Sequence, residues 1–118
     1  MYLDDQTNLN YDISRAAWIG DYNDPNTFLD IFITNGDQNR TGWSNTRYDE
    51  LILKKAALEA DPKQRMKYFR EAEEILIDEL PILPIYFYVT KDMVNAKVKG
   101  LNPNIRNLIA FKYLYMIP

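Results

Sequence analysis

Cysteine and histidine are both absent from this chain of 118 residues. Without a thiol, the chain has no disulfides, no cysteine metal sites and no thiol catalysis, although its redox compartment stays open because cysteine-free proteins occur on both sides of membranes. Without an imidazole, Ser-His-Asp catalysis, Cys-His catalysis and ordinary zinc sites are excluded as well. Any chemistry must therefore rest on carboxylates, amides and aromatic rings.

The sequence also has few basic residues in succession and no long apolar run. Lys54-Lys55 is the only pair of adjacent basic residues, and the net charge is −3, so the chain has no cationic stripe for nucleic acid. No apolar stretch reaches the roughly 20 residues of a membrane-spanning helix. The first five residues have neither the basic nor the apolar region of a signal peptide.

What is present is typical of a globular domain. Hydrophobic residues make up 47% and charged residues 26%, which are values for one domain or a piece of one. Alternation predicts strands over residues 11–19 and 94–98, and apolar runs predict strands over 82–89 and 109–117. Helical spacing predicts three helices: one from Pro25, one from Thr46 to near Asp61, and one from Asp61 to Pro81. The predicted fold class is therefore mixed α/β or α+β.

The segment between the first strand and the first helix has the pattern of a ligand site. Asp21 follows Gly20 at the carboxyl end of the predicted strand, where open α/β sheets bind ligands. Asp24 and Pro25 are typical of a helix N-cap and first position, so Asp24 is interpreted as structural. Phe28, Leu29, Phe32, Ile33 and, on the third helix, Met66, Phe69, Ala72, Leu76 and Leu80 are predicted to face the core.

Several short motifs in register carry a resemblance that covers essentially the whole chain. They are Trp18-x-x-Asp21-Tyr22-x-Asp24-Pro25-x-x-Phe28-Leu29, Asn39-x-Thr41-Gly42-Trp43, Tyr48-Asp49-x-Leu51-Ile52, Arg65, Ala72-Glu73 and Pro81-x-x-Pro84-x-Tyr86. Together they resemble the oligopeptide-binding subunits of ABC peptide importers, extracellular solute-binding family 5. Members are several times longer, so residues 1–118 are expected to be a C-terminal part of such a protein. They would form most of the second lobe of a type II periplasmic-binding-protein-like fold, with the last strand either in that lobe or returning to the first.

The resemblance implies roles for five residues. In the family, the acid at the position of Asp21 anchors the α-amino group of the bound peptide, and Trp18 would cover the ligand. Ile19 and Gly20 would add main-chain hydrogen bonds, and Tyr22 completes the predicted ligand-binding set. The implied protein is not an enzyme and has no cofactor and no metal. It would work in the periplasm or at the outer face of the cytoplasmic membrane, with a peptide ligand and ABC permease subunits as partners.

Other interpretations of the same residues remain open. Members of the family also bind dipeptides, cell-wall peptides, haem, nickel complexes or sugars. Asp21 could instead be a turn acid bonded to its own backbone, and Trp18 could be a core residue. A glycosidase needs two placed carboxylates, but Asp24 is already explained as a cap. A small protein-interaction module is a further alternative, and unpaired strand edges predict self-association of the isolated chain.

Overall fold

The computed structural model describes residues 1–104 and 107–118 and is dominated by helices. In chain order its α-helices are α1 (Tyr2–Thr7), α2 (Asn26–Leu29), α3 (Thr46–Asp49) and α4 (Pro62–Glu79). A 3₁₀ turn at Asp30–Phe32 extends α2, a π-helix at Glu50–Ala56 extends α3, and a further 3₁₀ turn lies at Phe111–Tyr113. Two short strands, β1 (Val98–Lys99) and β2 (Tyr115–Met116), form an antiparallel ribbon.

The helix α4 begins and ends where the sequence predicts. The Asp61 carboxylate accepts a hydrogen bond from the Lys63 backbone N–H at 3.1 Å, and Pro62 occupies the first turn, where no backbone donor is needed. Leu80 then adopts a left-handed conformation with φ of 52°, directly before Pro81. The prediction of this helix is confirmed.

The core lies where α4 packs against α3 and the π-helix, and α2 adds one residue to it. Its buried apolar side chains are Leu29, Tyr48, Leu51, Ile52, Ala56, Phe69, Ala72 and Leu76. Phe32 and Ile33 are partly buried against this cluster, as predicted. Tyr48 is fully buried, and its hydroxyl donates a hydrogen bond of 2.5 Å to the Leu29 carbonyl, which joins α2 to α3.

Three residues predicted for the core are exposed instead. Phe28 is 48% exposed, because α2 has only four residues and turns Leu29 rather than Phe28 towards α3 and α4. Met66, in the second turn of α4, is 51% exposed, and Leu80 is 59% exposed because it follows the helix in a left-handed conformation. The predicted start of the second helix at Thr46 is confirmed. Its cap is Asn45, whose side-chain oxygen accepts from the Tyr48 backbone N–H at 2.9 Å.

Most of the predicted strands do not form in the part of the chain that the structure describes. Residues 11–19 and 82–89 have no ladder partner there, and Ile13 and Phe87 are 94% and 97% exposed. The predictions for 94–98 and 109–117 reduce to the pairs Val98–Met116 and Lys99–Tyr115. A strand needs a neighbour for its backbone hydrogen bonds, and periodicity alone does not supply one. The fold is mixed but helix-rich.

Within residues 1–104 and 107–118, no helix combines the length and the apolar character needed to cross a bilayer.

Candidate functional site

The predicted ligand segment, residues 18–22, lies against the first turn of α2. The backbone N–H of Asp21 donates to the Thr27 hydroxyl oxygen at 3.0 Å, and Thr27 is buried. A methyl group on Gly20 would lie 3.1 Å from the Phe28 ring and 3.2 Å from the Thr27 side chain. The segment is therefore positioned by α2 rather than by a strand ladder.

Trp18 and Asp21 share an open hollow with a volume of about 340 Å³. The 3₁₀ turn after α2 and the loop beyond it supply the opposite wall, with Asp30, Ile31, Ile33, Gly36, Asp37 and Gln38. The structure thus brings together two of the five predicted binding residues. Asp30 and Asp37 were not predicted, because no local pattern relates them to residues 18–21.

The other three predicted residues do not line this hollow. Ile19 is 78% exposed, and Gly20 packs on α2. Tyr22 is half-exposed, and its hydroxyl donates to a carboxylate oxygen of Asp30 at 3.3 Å and accepts from the Asn26 amide at 3.0 Å. Tyr22 therefore supports the rim of the hollow through Asp30.

Asp21 and Asp24 have different surroundings, although they are three residues apart. Asp21 is exposed, and its carboxylate has no hydrogen-bond or ion-pair partner within the described part of the chain. Asp24 pairs with Arg65 through both carboxylate oxygens, and one of those oxygens lies 3.0 Å from Nη2 of Arg65. The Arg65 hydrogen bonds lower the pKa of Asp24 against the opposing effect of burial, and the Asn26 backbone N–H also lowers it.

Asn39 organises the loop that forms the opposite wall of the hollow. Its amide nitrogen donates to the carbonyls of Phe32, Ile33 and Trp43 at 3.0 to 3.2 Å. Its carbonyl oxygen accepts from the Thr41 hydroxyl at 2.7 Å. The motif Asn39-x-Thr41-Gly42-Trp43 is visible in the sequence, but only these contacts show that Asn39 stabilises the loop.

The described ranges contain no group of three or more acidic side chains arranged to hold an ion. The hollow contains the aromatic ring of Trp18 and the separate carboxylates of Asp21, Asp30 and Asp37, which are groups that can contact an organic ammonium.

No protein-family model matches the chain. Among curated proteins, it is 46% identical over 101 residues to the dipeptide-binding protein DppE of Bacillus subtilis, an alignment that covers 86% of this chain and 18% of DppE. Among solved structures, it superposes on the Escherichia coli murein tripeptide-binding protein MppA with a TM-score of 0.90 and 31% identity, covering 99% of this chain and 23% of MppA. The chain is homologous to part of these peptide-binding proteins. The resemblance predicted from the sequence is thereby confirmed.

A second MppA structure, its unliganded open form, gives a lower TM-score. Its value is 0.76 at 32% identity, covering 98% of this chain and 22% of that one. The chain thus spans about a fifth of the length of the relatives it matches. These relatives are named for the peptides they bind and not for a catalysed reaction.

Proposed function

We propose that this chain forms part of the ligand site of a longer solute-binding protein, which captures peptides outside the cytoplasmic membrane and delivers them to the permease of an ABC importer. Its homology to DppE and MppA supports the ligand class. The observation that carries the proposal is the Asp21 carboxylate, which is exposed beside Trp18 and has no partner among the described residues.

Asp21 would pair with the α-amino group of the peptide. A free peptide brings an ammonium group, and a hydrogen bond between two charged groups contributes about 1.5–3 kcal/mol. The neighbouring Asp24 does not compete for this role, because Arg65 already occupies both of its oxygens. Trp18 would cover the ligand with its ring, which is 39% exposed in the hollow.

The main chain of Ile19 and Gly20 would add contacts that do not depend on the peptide's sequence. Within the described residues, the backbone groups of these two residues make no hydrogen bond. An extended peptide can pair with such a stretch as an added strand, so affinity would come from main-chain groups and from the terminal charge. A site of this kind accepts many side chains.

We further propose that residues 1–118 are a C-terminal part of such a protein, mostly in its second lobe, with the last strand returning to the first. Two structures of MppA support a segment that is not confined to one rigid lobe, since they cover nearly the same share of the chain with TM-scores of 0.90 and 0.76. A segment confined to one rigid lobe would match both forms equally well. Binding by these 118 residues alone is therefore expected to be weak.

Calorimetry on the full-length protein tests the anchor. We expect Asp21→Ala to weaken trialanine by about tenfold or more, and to change the affinity for N-acetyl-trialanine little, because acetylation already removes the paired charge. Asp12→Ala is the matched control, since Asp12 is an exposed acid that does not line the hollow.

Equal losses for the free and the acetylated peptide would contradict the anchor role of Asp21. Mass spectrometry of the ligand that co-purifies with the protein then separates a peptide from haem, a nickel complex or a sugar. Finding one of these other ligands would contradict the peptide specificity and leave the transport class in place.

A further inference from the structure

Arg65 lies on α4, contacts two other parts of the structure and also packs on an aromatic ring of its own helix. Its Nη atoms pair with the Asp24 carboxylate, and its Nε donates to the carbonyl of Ala56, the last residue of the π-helix, at 3.0 Å. Its guanidinium carbon lies 4.5 Å from the centroid of the buried Phe69 ring. These contacts fix the orientation of the guanidinium group, and the planar fork of arginine suits such a junction.

Asp24 connects Arg65 to the ligand segment, residues 18–22, through a series of hydrogen bonds. One of its oxygens accepts from the Asn26 backbone N–H at 2.9 Å, and its carbonyl accepts from the Thr27 N–H at 3.2 Å. Thr27 in turn accepts from the Asp21 N–H at 3.0 Å. A continuous chain of hydrogen bonds therefore leads from Arg65 through Asp24 and Thr27 to Asp21.

The helix α2 needs this support because it is too short to be stable alone. It has only four residues, and isolated helices need about 12 or more. Its carboxyl end is held by the hydrogen bond from Tyr48 to Leu29, and its amino end is held by the pair of Asp24 and Arg65. The pair is also partly shielded from water, with side chains 26% and 29% exposed.

We propose that Arg65 is a positioning residue for ligand binding, acting through Asp24 to hold the Asp21 carboxylate at the hollow. This inference rests on the proposed function of Asp21 as an amine anchor. Arg65 itself does not line the hollow and would not touch the ligand.

A double-mutant cycle in the full-length protein tests the proposal. Lysine keeps the charge of Arg65 but cannot make the two-pronged contact, so we expect Arg65→Lys to weaken trialanine by about threefold or more and N-acetyl-trialanine much less. In the Asp21→Ala background, Arg65→Lys should cause no further loss for either peptide, because the anchor that it positions is gone.

Two further variants serve as control and second probe. Arg47→Lys is the matched control, since Arg47 links α3 to Glu71 of α4 at 2.6 Å and, among the described residues, its hydrogen bonds go to Glu50 and Glu71 rather than to α2. We expect it to leave both affinities unchanged. Asp24→Asn removes the charge while keeping an oxygen for the Asn26 N–H, and it should reproduce the selective loss of Arg65→Lys.

The outcomes separate this inference from the proposed function. If Asp21→Ala does not weaken the binding of trialanine, both the anchor role of Asp21 and the positioning role of Arg65 are contradicted. Other outcomes contradict only the positioning role, provided that Asp21→Ala weakens the binding of trialanine. They are that Arg65→Lys leaves both affinities unchanged, that it weakens the binding of both peptides equally, or that it adds its full effect to that of Asp21→Ala. Failure of both Arg65→Lys and Asp24→Asn to fold, with Arg47→Lys folded, would also overturn it, because the pair would then support the whole fold.

Discussion

Two acids in one short loop show how partners decide the role of a residue. Asp24 is held by Arg65 and the Asn26 N–H and serves the fold. Asp21 has the same chemistry but is left to the solvent at the hollow. A partly buried and paired carboxylate cannot bind an incoming ammonium group without losing its partner, so the proposed anchor is Asp21 and not Asp24.

The pair of Asp24 and Arg65 should make stability depend on acid. The Arg65 hydrogen bonds lower the folded-state pKa of Asp24 below its ordinary value of 3.8. The stabilisation is therefore complete above that ordinary value and is lost as the pH falls through the lowered pKa. We expect Asp24→Asn to reduce the free energy of unfolding by about 1 kcal/mol at pH 7 and by much less in strong acid, as measured by denaturant titration.

Asn at this position keeps the contact with the Asn26 N–H, so the comparison isolates the charge pair. Glu50, whose pKa is lowered chiefly by its hydrogen bond with Arg47, contributes to the acid dependence of both proteins and cancels in the difference. A difference of the same size at neutral and at acidic pH would show that the charge of Asp24 is not the source.

At the residue scale, contacts between residues close in sequence could be predicted, whereas contacts between residues far apart in sequence could not. Asp61 and Pro62 mark the start of α4 in the sequence itself, because a cap acts on N–H groups two residues away. Arg65 lies 41 residues from Asp24, and no spacing pattern connects them. The positions of Asp30 and Asp37 at the hollow were missed for the same reason.

At the scale of elements, the helices follow from the sequence and most strands do not form. A helix satisfies its hydrogen bonds within its own segment, so the period of α4 was sufficient to predict it. A strand depends on backbone hydrogen bonds to a second segment, and residues 11–19 and 82–89 form no such ladder among the described residues, although the side chains of Arg15 and Tyr86 interact. The π-helix at Glu50–Ala56 was not predicted, since apolar spacing does not separate it clearly from an α-helix.

The β1–β2 ribbon depends on Gly100. This residue has φ of +81°, and a Cβ there would lie 1.9 Å from the Tyr113 carbonyl oxygen, well inside van der Waals contact. We expect Gly100→Ala to separate the strands and to remove the nuclear Overhauser contacts between Val98 and Met116, while contacts of Phe69 in the core persist.

Lys99→Ala is the control for this change, because Lys99 is an exposed residue of the same strand without such a close approach. Its spectrum should keep the cross-strand contacts. Cross-strand contacts of normal strength in Gly100→Ala would contradict the requirement for glycine.

At the scale of the whole molecule, the 118 residues extend further than a compact domain would. The radius of gyration is 18.7 Å, whereas a compact chain of this length has about 13–14 Å. The difference arises because the core is confined to α2, α3, the π-helix and α4, while apolar segments outside it lie in solvent. Ile85, Phe87 and Val89 are 80%, 97% and 63% exposed. In a protein of the relatives' length, further chain would be available to cover them.

These exposed segments predict the behaviour of the chain produced alone. Residues 82–89 are apolar, rich in aromatic side chains and unpaired among the described residues, which is the condition for edge-to-edge association. We expect sedimentation velocity to show concentration-dependent oligomers of the isolated 118 residues. The double variant Ile85→Lys with Phe87→Lys should shift them to monomer, because lysine on a strand edge opposes pairing.

Met66→Lys is the control that separates strand pairing from general hydrophobicity. Met66 is a half-exposed apolar residue, but it lies on α4, whose backbone hydrogen bonds are already satisfied. It should therefore leave the oligomers in place. A monomer at all concentrations, or equal dissociation by Met66→Lys, would show that residues 82–89 do not drive association.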